Sequence, residues 1–306
     1  MAEINKPSDI NKIWAAGGDI VTPADTKINN GWVEEIPPHE YENYIQNKQD
    51  LAIAHINQHG IAIWDAVTEY QANRSLVQGS NGRIYKATTT NTNVNPTTDV
   101  SGAWYDINES NMVVFSTPGT YTWTVPATLK SGFKRPKVTV TGGGGSGGSG
   151  DTSNRGAGGG AGGTAIGTVN LAGVNTVTIT VGSGGGRKTS AVANGENGSQ
   201  SSFGTYLVGQ GGNLGQRSAA SSNVAGGLGG SASGGALNLK GGDGSDGPNA
   251  TAGGGSGDGG ASFWGGGIRS GTGTSSNTVN NTPGSGGGSG TLVSSPGGHG
   301  IVVIEW

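Results

Sequence analysis

Apolar and polar residues alternate strictly in three short stretches of the second half of the chain. The stretches read TYTWTVP from Thr120, KVTVT from Lys137 and TVTITV from Thr176. A period of two filled with β-branched and aromatic residues is typical of a strand with one buried face. The pattern predicts three β-strands, with core-facing residues Tyr121, Trp123, Val125, Val138, Val140, Val177, Ile179 and Val181.

The chain ends in a different pattern, the continuous apolar run IVVI at residues 301–304. Such a run predicts a strand that is buried on both faces. Pairing of this strand with KVTVT would bring the chain back across all the residues between them, so we expect a closed domain in this region.

A helical period begins after Pro37 and Pro38 and continues to Gly60, which is a typical helix stop. The stretch predicts a helix over residues 39–59 with a narrow apolar seam, which suits a short coiled coil or a helix docked on a partner. His55 and His59 share a face at a spacing that can chelate a metal. No third ligand stands at a matching offset, so we interpret them as ordinary histidines and predict no metal site.

Residues 64–107 contain a hairpin signal, Asn81-Gly82, and four spaced aromatic residues, Trp64, Tyr70, Tyr85 and Trp104. With Val77, Ala87 and Pro96, these residues resemble the pattern of small chitin- and cellulose-binding modules, although NRSLV replaces their usual Gly-Asp turn before the valine. The resemblance implies that exposed aromatic rings stack on sugar rings. The alternative is that the four aromatics form the core of a small spacer domain.

Glycine is concentrated in the last part of the chain, because 55 of the 64 glycines follow residue 141. They stand in short pieces such as GGGGSGGSG and GAGGGAGG, without the period or the proline of collagen. Glycine loses much backbone entropy on folding, so disorder is the simplest expectation. Strands nevertheless interrupt and close the block. We therefore predict packed polyglycine-II segments, whose backbones hydrogen-bond to one another without a hydrophobic core.

Charge and composition exclude several classes of function. The net charge is −3, which disfavours a nucleic-acid partner. The absence of cysteine removes thiolate chemistry, and no apolar run is long enough to insert into a membrane. The opening residues lack the apolar core of a secretory signal. The glycine block holds few carboxylates and no catalytic motif, so we predict a non-enzyme without cofactors.

The whole pattern resembles bacteriophage tail fibre proteins. The opening MAEINKPSDINKIWAAGGD and its continuation to the helix match their N-termini, and FSTPGTYTWTVP, VTVTGGGG, TVTITVGSGGG and SSFG resemble their C-terminal glycine-rich domains. The polyglycine-II sandwich of some phage adhesins is a related precedent. The resemblance implies a mainly β protein with one N-terminal helix and three regions: an attachment segment (1–60), an aromatic β-module (61–110) and a glycine-rich tip (111–306).

The same resemblance implies a virion protein that is assembled in the host cytoplasm as a homotrimer. Its N-terminus would join a baseplate or proximal fibre protein. Its tip would bind a host surface polysaccharide or an outer-membrane protein. The alternatives are a polysaccharide-degrading fibre and a structural or surface protein without receptor contact.

Receptor contacts are expected from large side chains that have no core to enter. We predict that ASFWGGGIRSG forms a loop that exposes Trp264 and Arg269. Phe203 is instead expected to plug the base of the glycine domain. The full candidate set is Trp264, Arg269, Phe263, Tyr206, Arg217, Arg187 and Lys188.

Overall fold

The structure is a computed structural model. The structure describes residues 13–32, 36–108, 110–151, 154–190, 192–218, 223–248, 255–271 and 280–306. Residues 1–12 of the predicted attachment segment lie outside this range. The chain divides into two compact units, Met1–Glu109 and Ser110–Trp306.

The first unit contains the predicted helix, which runs as α2 from His39 to His59 and ends where Gly60 takes a φ of 72°. A short helix, α1 (Asp25–Asn30), precedes it. The segment that precedes α1 lies along α2, since the backbone N–H of Trp14 donates to the Asp50 carboxylate at 2.8 Å. His55 uses its Nε2 atom to accept the N–H of Ile63 at 3.2 Å.

The same unit contains a small three-stranded antiparallel sheet in the order β1-β2-β3. The predicted hairpin at Asn81-Gly82 joins the first two strands. The strands are β1 (Leu76–Gln78), β2 (Ile84–Ala87) and β3 (Trp104–Asp106). The core packed around this small sheet consists of Tyr70, Val77, Tyr85, Ala87, Ala103 and Trp104.

The second unit is built on two five-stranded sheets, ordered β11-β10-β9-β8-β5 and β12-β7-β6-β13-β4. The predicted pairing is confirmed, because β13 lies antiparallel to β6 with Val302 opposite Val140. A short helix, α3 (Ala127–Lys130), follows β5. The strands are β4 (Met112–Phe115), β5 (Gly119–Thr124), β6 (Lys137–Thr141), β7 (Thr164–Thr168), β8 (Thr176–Val181), β9 (Ser201–Phe203), β10 (Leu207–Gly209), β11 (Ala232–Ser233), β12 (Leu237–Leu239) and β13 (Ile301–Glu305).

Apolar residues from both sheets form one core between them. The strand prediction from alternation is confirmed for β8, where Val177, Ile179 and Val181 are all buried. Phe203 is fully buried, as expected for a plug at the base of the glycine domain. The sheets thus supply the hydrophobic stability that the glycine segments lack.

Extended glycine-rich segments leave and return to these strands and pack side by side. Their backbone hydrogen bonds repeat with a period of three, the period of polyglycine II. In the first segment, the N–H groups of Gly142, Gly145 and Gly148 all donate to one neighbour at 2.8–3.0 Å. The N–H groups of the residues that follow each of these, Gly143, Ser146 and Ser149, all donate to a second neighbour. The segments are pg1 (142–150), pg2 (154–163), pg3 (182–188), pg4 (193–200), pg5 (210–218), pg6 (223–231), pg7 (240–248), pg8 (255–261), pg9 (265–271), pg10 (284–290) and pg11 (293–300).

Two central segments, pg1 and pg2, are each enclosed by a closed ring of hydrogen-bonded neighbours. The ring around pg1 is pg2, pg5, pg4, pg3, pg11 and pg10, and the ring around pg2 is pg1, pg5, pg6, pg7, pg8 and pg10. Because every direction around pg1 and pg2 holds another backbone, only small residues fit there. A Cβ atom added at Gly158 would lie 1.8 Å from the carbonyl oxygen of Asp258.

Candidate functional site

The packed segments have a sheet end, where they meet the strands, and an opposite end. The pairs pg1–pg2, pg3–pg4, pg5–pg6 and pg7–pg8 each leave a strand and turn back at that opposite end, which we call the loop end; pg10–pg11 also turns there. Described residues on these turns meet, since the Ser218 N–H donates to the Ser149 carbonyl at 3.3 Å and Arg155 bonds the Thr291 hydroxyl. The loop end is therefore one surface assembled from several chain reversals.

Several basic side chains of the packed segments lie towards the loop end, and Arg155, Arg187 and Lys188 are engaged. The Arg187 Nε atom donates to the Ser294 carbonyl at 3.3 Å, and Lys188 forms an ion pair with Glu196 at 2.5 Å. Arg217 and Arg269 are exposed, and among the described residues neither guanidinium forms a hydrogen bond or ion pair. Arg217 is on pg5 and Arg269 on pg9, so these two exposed cations are on different segments.

Trp264 does not lie in a loop beside Arg269, and this part of the sequence-based prediction is wrong. Trp264 is in a tight turn at the sheet end, where the Ser262 N–H donates to the Gly265 carbonyl at 2.9 Å. Its Nε1 atom donates to the hydroxyl of Thr141, the last residue of β6, at 2.9 Å. After this turn the chain runs away from the strands as pg9. Because an extended glycine segment rises about 3 Å per residue, the five residues from Trp264 to Arg269 separate them by about 15 Å.

The other aromatic candidates also lie at the sheet end. Phe263 is 52% exposed and stands edge-on to Trp264, with ring centroids 5.2 Å apart. Tyr206 is 36% exposed in the turn between β9 and β10, and its ring lies 6.0 Å from that of Phe203. The structure thus separates the aromatic candidates from Arg217, Arg187 and Lys188, which it places towards the loop end.

Most carboxylates of the glycine domain act as acceptors for backbone N–H groups of neighbouring segments, a role that the sequence reading missed. Glu196 accepts the N–H of Gly186 at 3.0 Å, Asp258 that of Ser270 at 2.6 Å, Asp246 that of Gly226 at 2.9 Å and Asp243 that of Gly229 at 2.7 Å. The three-residue spacing of Asp243 and Asp246 is the sequence signal for this role, because it equals the period of the segment.

Two of these carboxylates have a lowered pKa. Hydrogen bonding and attraction from Lys188, with the Gly186 N–H, lower the pKa of Glu196. The Gly229 N–H and then Lys240 lower the pKa of Asp243. A hydrolytic pair needs one carboxyl group with a raised pKa to act as the acid. Neither of these two groups has that property.

The aromatic residues of the first unit are mainly core residues. Tyr70, Tyr85 and Trp104 are buried, and Trp64 is partly buried against them. The Trp104 indole donates to the Val94 carbonyl at 2.7 Å, and the Asn81 amide donates to the Tyr85 hydroxyl at 2.8 Å. This geometry favours the spacer interpretation over a platform of exposed rings.

The described part of the chain contains neither a helix fit to span a membrane nor a cluster of metal-binding side chains. No described helix has the length and apolarity needed to cross a membrane. The described residues contain no group of three or more His, Cys, Asp or Glu side chains placed to hold a metal ion, although the His55 and His59 rings lie 4.6 Å apart.

Comparison with known proteins identifies the second unit. No curated protein matches the chain. The sequence model of a family described as a glycine-rich domain matches residues 116–306, which covers all the packed glycine segments and every strand of the two sheets except β4. Since this match extends over more than half of the sequence, the chain belongs to the glycine-rich domain family.

Proposed function

We propose that the protein is a non-catalytic receptor-binding protein of a bacteriophage tail fibre, and that the loop end of its glycine domain contacts the host cell surface. The observation that carries the proposal is the convergence of several chain reversals on one surface. Loops that converge on a rigid scaffold are a common arrangement for binding sites.

The glycine array suits this role because its stability does not depend on the connecting residues. The hydrogen bonds that hold pg1 and pg2 run between segment backbones, so the connections are free to differ in sequence. The core between the two sheets secures the opposite end. A receptor site can then change without loss of the fold.

The remaining parts of the proposal rest on the sequence resemblance. The N-terminal region would attach to a baseplate or proximal fibre protein, in a homotrimer that forms part of the virion. The receptor would be a surface polysaccharide or an outer-membrane protein. The use of carboxylates as backbone acceptors supports the non-catalytic form of the proposal over a polysaccharide-degrading fibre.

The proposal is tested by competition for adsorption. The purified full chain should block adsorption of a phage that carries it to cells of that phage's propagating host. A short epitope tag inserted into the connection from Ser218 to Asn223, both of which lie at the loop end, should weaken the block at least tenfold, or by about 1.4 kcal/mol.

The matched control carries the same tag between Gly204 and Thr205, in the turn at the sheet end. This control should block adsorption like the native chain, and both variants should keep the native circular dichroism spectrum. Equal blocking by both tagged proteins would exclude the loop end as the contact surface.

A further inference from the structure

One side of the glycine array carries two adjoining hollows, of about 490 and 580 Å³. Leu214 and Gln216 line both, so the two hollows form one continuous groove along pg5. The groove lies on the layer formed by pg4, pg5 and pg6, and we call its lining the amide face. The amide face comprises Asn194, Asn197, Asn213, Leu214, Gln216, Arg217, Val224 and Leu228.

Backbone contacts fix the direction in which the amides of this face point. The Asn197 Oδ1 atom accepts the N–H of Leu214 at 2.8 Å, and the Asn194 Oδ1 atom accepts that of Arg217 at 2.8 Å. The Gln216 Oε1 atom likewise accepts the N–H of Ala225 at 3.3 Å. With the oxygen atoms occupied, each side chain offers its NH₂ group as a donor.

The donors follow the period of the segments. Asn194 and Asn197 are three residues apart, and three residues of this extended helix rise about 9 Å. Asn194 faces Arg217 on pg5, and Asn197 faces Leu214. Leu214 and Arg217 are also three residues apart, because pg4 and pg5 are antiparallel. The face therefore repeats the same chemistry along a straight line, which suits a polymer better than a compact ligand.

The charge of the face is positive. Arg217 is exposed, and no described carboxylate lines either hollow. Of the nearest carboxylates, Glu196 bonds pg3 and Asp243 bonds the N–H of Gly229 from pg7. Asp246 bonds the N–H of Gly226, which lines one hollow, but is not itself a lining residue. Leu214 and the 59% exposed Leu228 add apolar surface between the donors. A row of donors with one exposed guanidinium favours a ligand rich in acceptor oxygens and carboxylates.

We infer that the amide face binds an extended acidic polysaccharide with uronate and acetamido sugars. A uronate carboxylate pairs with Arg217, acetamido oxygens accept from the amide NH₂ groups, and the C–H faces of the rings rest on the leucines. This inference rests on the proposed receptor-binding function and assigns to it a ligand class and a second contact surface besides the loop end.

The test measures binding of hyaluronan, an acidic chain of uronate and acetamido sugars, to the full-length protein, with neutral dextran as the comparison. The native chain should bind hyaluronan and not dextran. Arg217→Gln should weaken hyaluronan binding at least tenfold, because a charged hydrogen bond is lost. Arg135→Gln is the matched control, since Arg135 is also exposed but precedes β6 and lines neither hollow.

A second variant tests the amide row. Asn197→Asp keeps an oxygen for the Leu214 N–H, so folding should be retained, but it replaces a donor with a negative charge. It should weaken hyaluronan binding at least tenfold. Asn170→Asp is its control, because the Asn170 Oδ1 atom also accepts a backbone N–H, that of Ala172, away from the groove.

Three results would overturn the inference: no hyaluronan binding by the native chain, equal binding of dextran, or unchanged hyaluronan binding in both groove variants. The adsorption assay separates this outcome from failure of the proposed function. If the chain blocks adsorption but does not bind hyaluronan through Arg217 and Asn197, the inference fails and the receptor-binding proposal stands.

Discussion

At the residue scale, Trp264 shows how an exposed aromatic residue can also be an anchor. Its ring is 37% exposed, yet its indole N–H bonds the buried hydroxyl of Thr141. Thr141 in turn bonds the hydroxyl of Thr164 at 2.9 Å. The turn that carries Trp264 is therefore tied to the ends of β6 and β7, and the side chain has a structural role whether or not it contacts a receptor.

We expect Trp264→Ala to lower the free energy of unfolding by about 2 kcal/mol, because it removes one hydrogen bond and a partly buried ring. Urea unfolding measured by circular dichroism would give this value. The expected contact of Trp264 with a receptor stays a prediction.

The matched comparison is Phe263→Ala, which removes a more exposed ring with no polar atom. It should change the unfolding free energy by no more than about 0.5 kcal/mol. A native unfolding curve for Trp264→Ala combined with lost adsorption would show that the ring acts as a receptor contact and not as an anchor.

At the element scale, the difference between central and peripheral segments explains where glycine is required. The central segments pg1 and pg2 admit only glycine, alanine and serine along most of their length, because each residue faces another backbone. Peripheral segments such as pg5 carry larger residues on their outward positions, including Gln216 and Arg217. A segment's position in the array can thus be read from its composition.

Gly158→Ala should destabilise the glycine domain by about 3 kcal/mol or more, because its methyl group would overlap the Asp258 carbonyl in a site that cannot expand. The measurement is the thermal unfolding midpoint of the full chain, followed by circular dichroism.

Gly266→Ala provides the control within the same domain. No atom lies within 4 Å of a Cβ atom built at this position on pg9. The substitution should be neutral or slightly stabilising, since alanine reduces the entropy of the unfolded chain. Equal midpoints for the two variants would contradict close packing around pg2.

At the scale of the whole glycine domain, carboxylates tie neighbouring segments together at the periphery. Glu196 joins pg4 to pg3, Asp243 and Asp246 join pg7 to pg6, and Asp258 joins pg8 to pg9. These contacts add to the backbone hydrogen bonds between the same segments. Their contribution depends on the carboxylates staying ionised.

Acid should therefore destabilise the domain. The pKa values of Glu196 and Asp243 are lowered in the folded state, so their stabilising effect is present above the ordinary carboxyl pKa of about 4 and is lost as the pH falls through the lowered values. Both groups are about half exposed, so solvent screening keeps each contribution small.

Urea midpoints measured from about pH 6 to pH 3 would check this expectation. The double variant Glu196→Gln, Asp243→Asn keeps both acceptor oxygens and should show a smaller loss of stability in acid. Asp19→Asn, an exposed position in the first unit, should leave the acid dependence of the glycine domain unchanged. An equally steep loss in the double variant would assign the acid sensitivity to other groups.

The sequence by itself determined the local elements of this protein. Alternation identified β5, β6 and β8, the Asn81-Gly82 pair identified a hairpin, and the proline and glycine limits placed α2 correctly at His39–His59. These signals are local, because side-chain period and turn chemistry act within a few residues. Glycine clusters between strands also predicted an ordered polyglycine array correctly.

Only the tertiary structure decided which residues meet. Trp264 lies at the sheet end because pg8 and pg9 reverse there, and Arg217 lies near the loop end because pg5 runs away from the strands. Carboxylates such as Asp243 became backbone acceptors through the register between segments. That register is set by hydrogen bonds between segments far apart in sequence, so no local pattern encodes it. The candidate site, unlike the fold class, was therefore beyond prediction from the sequence.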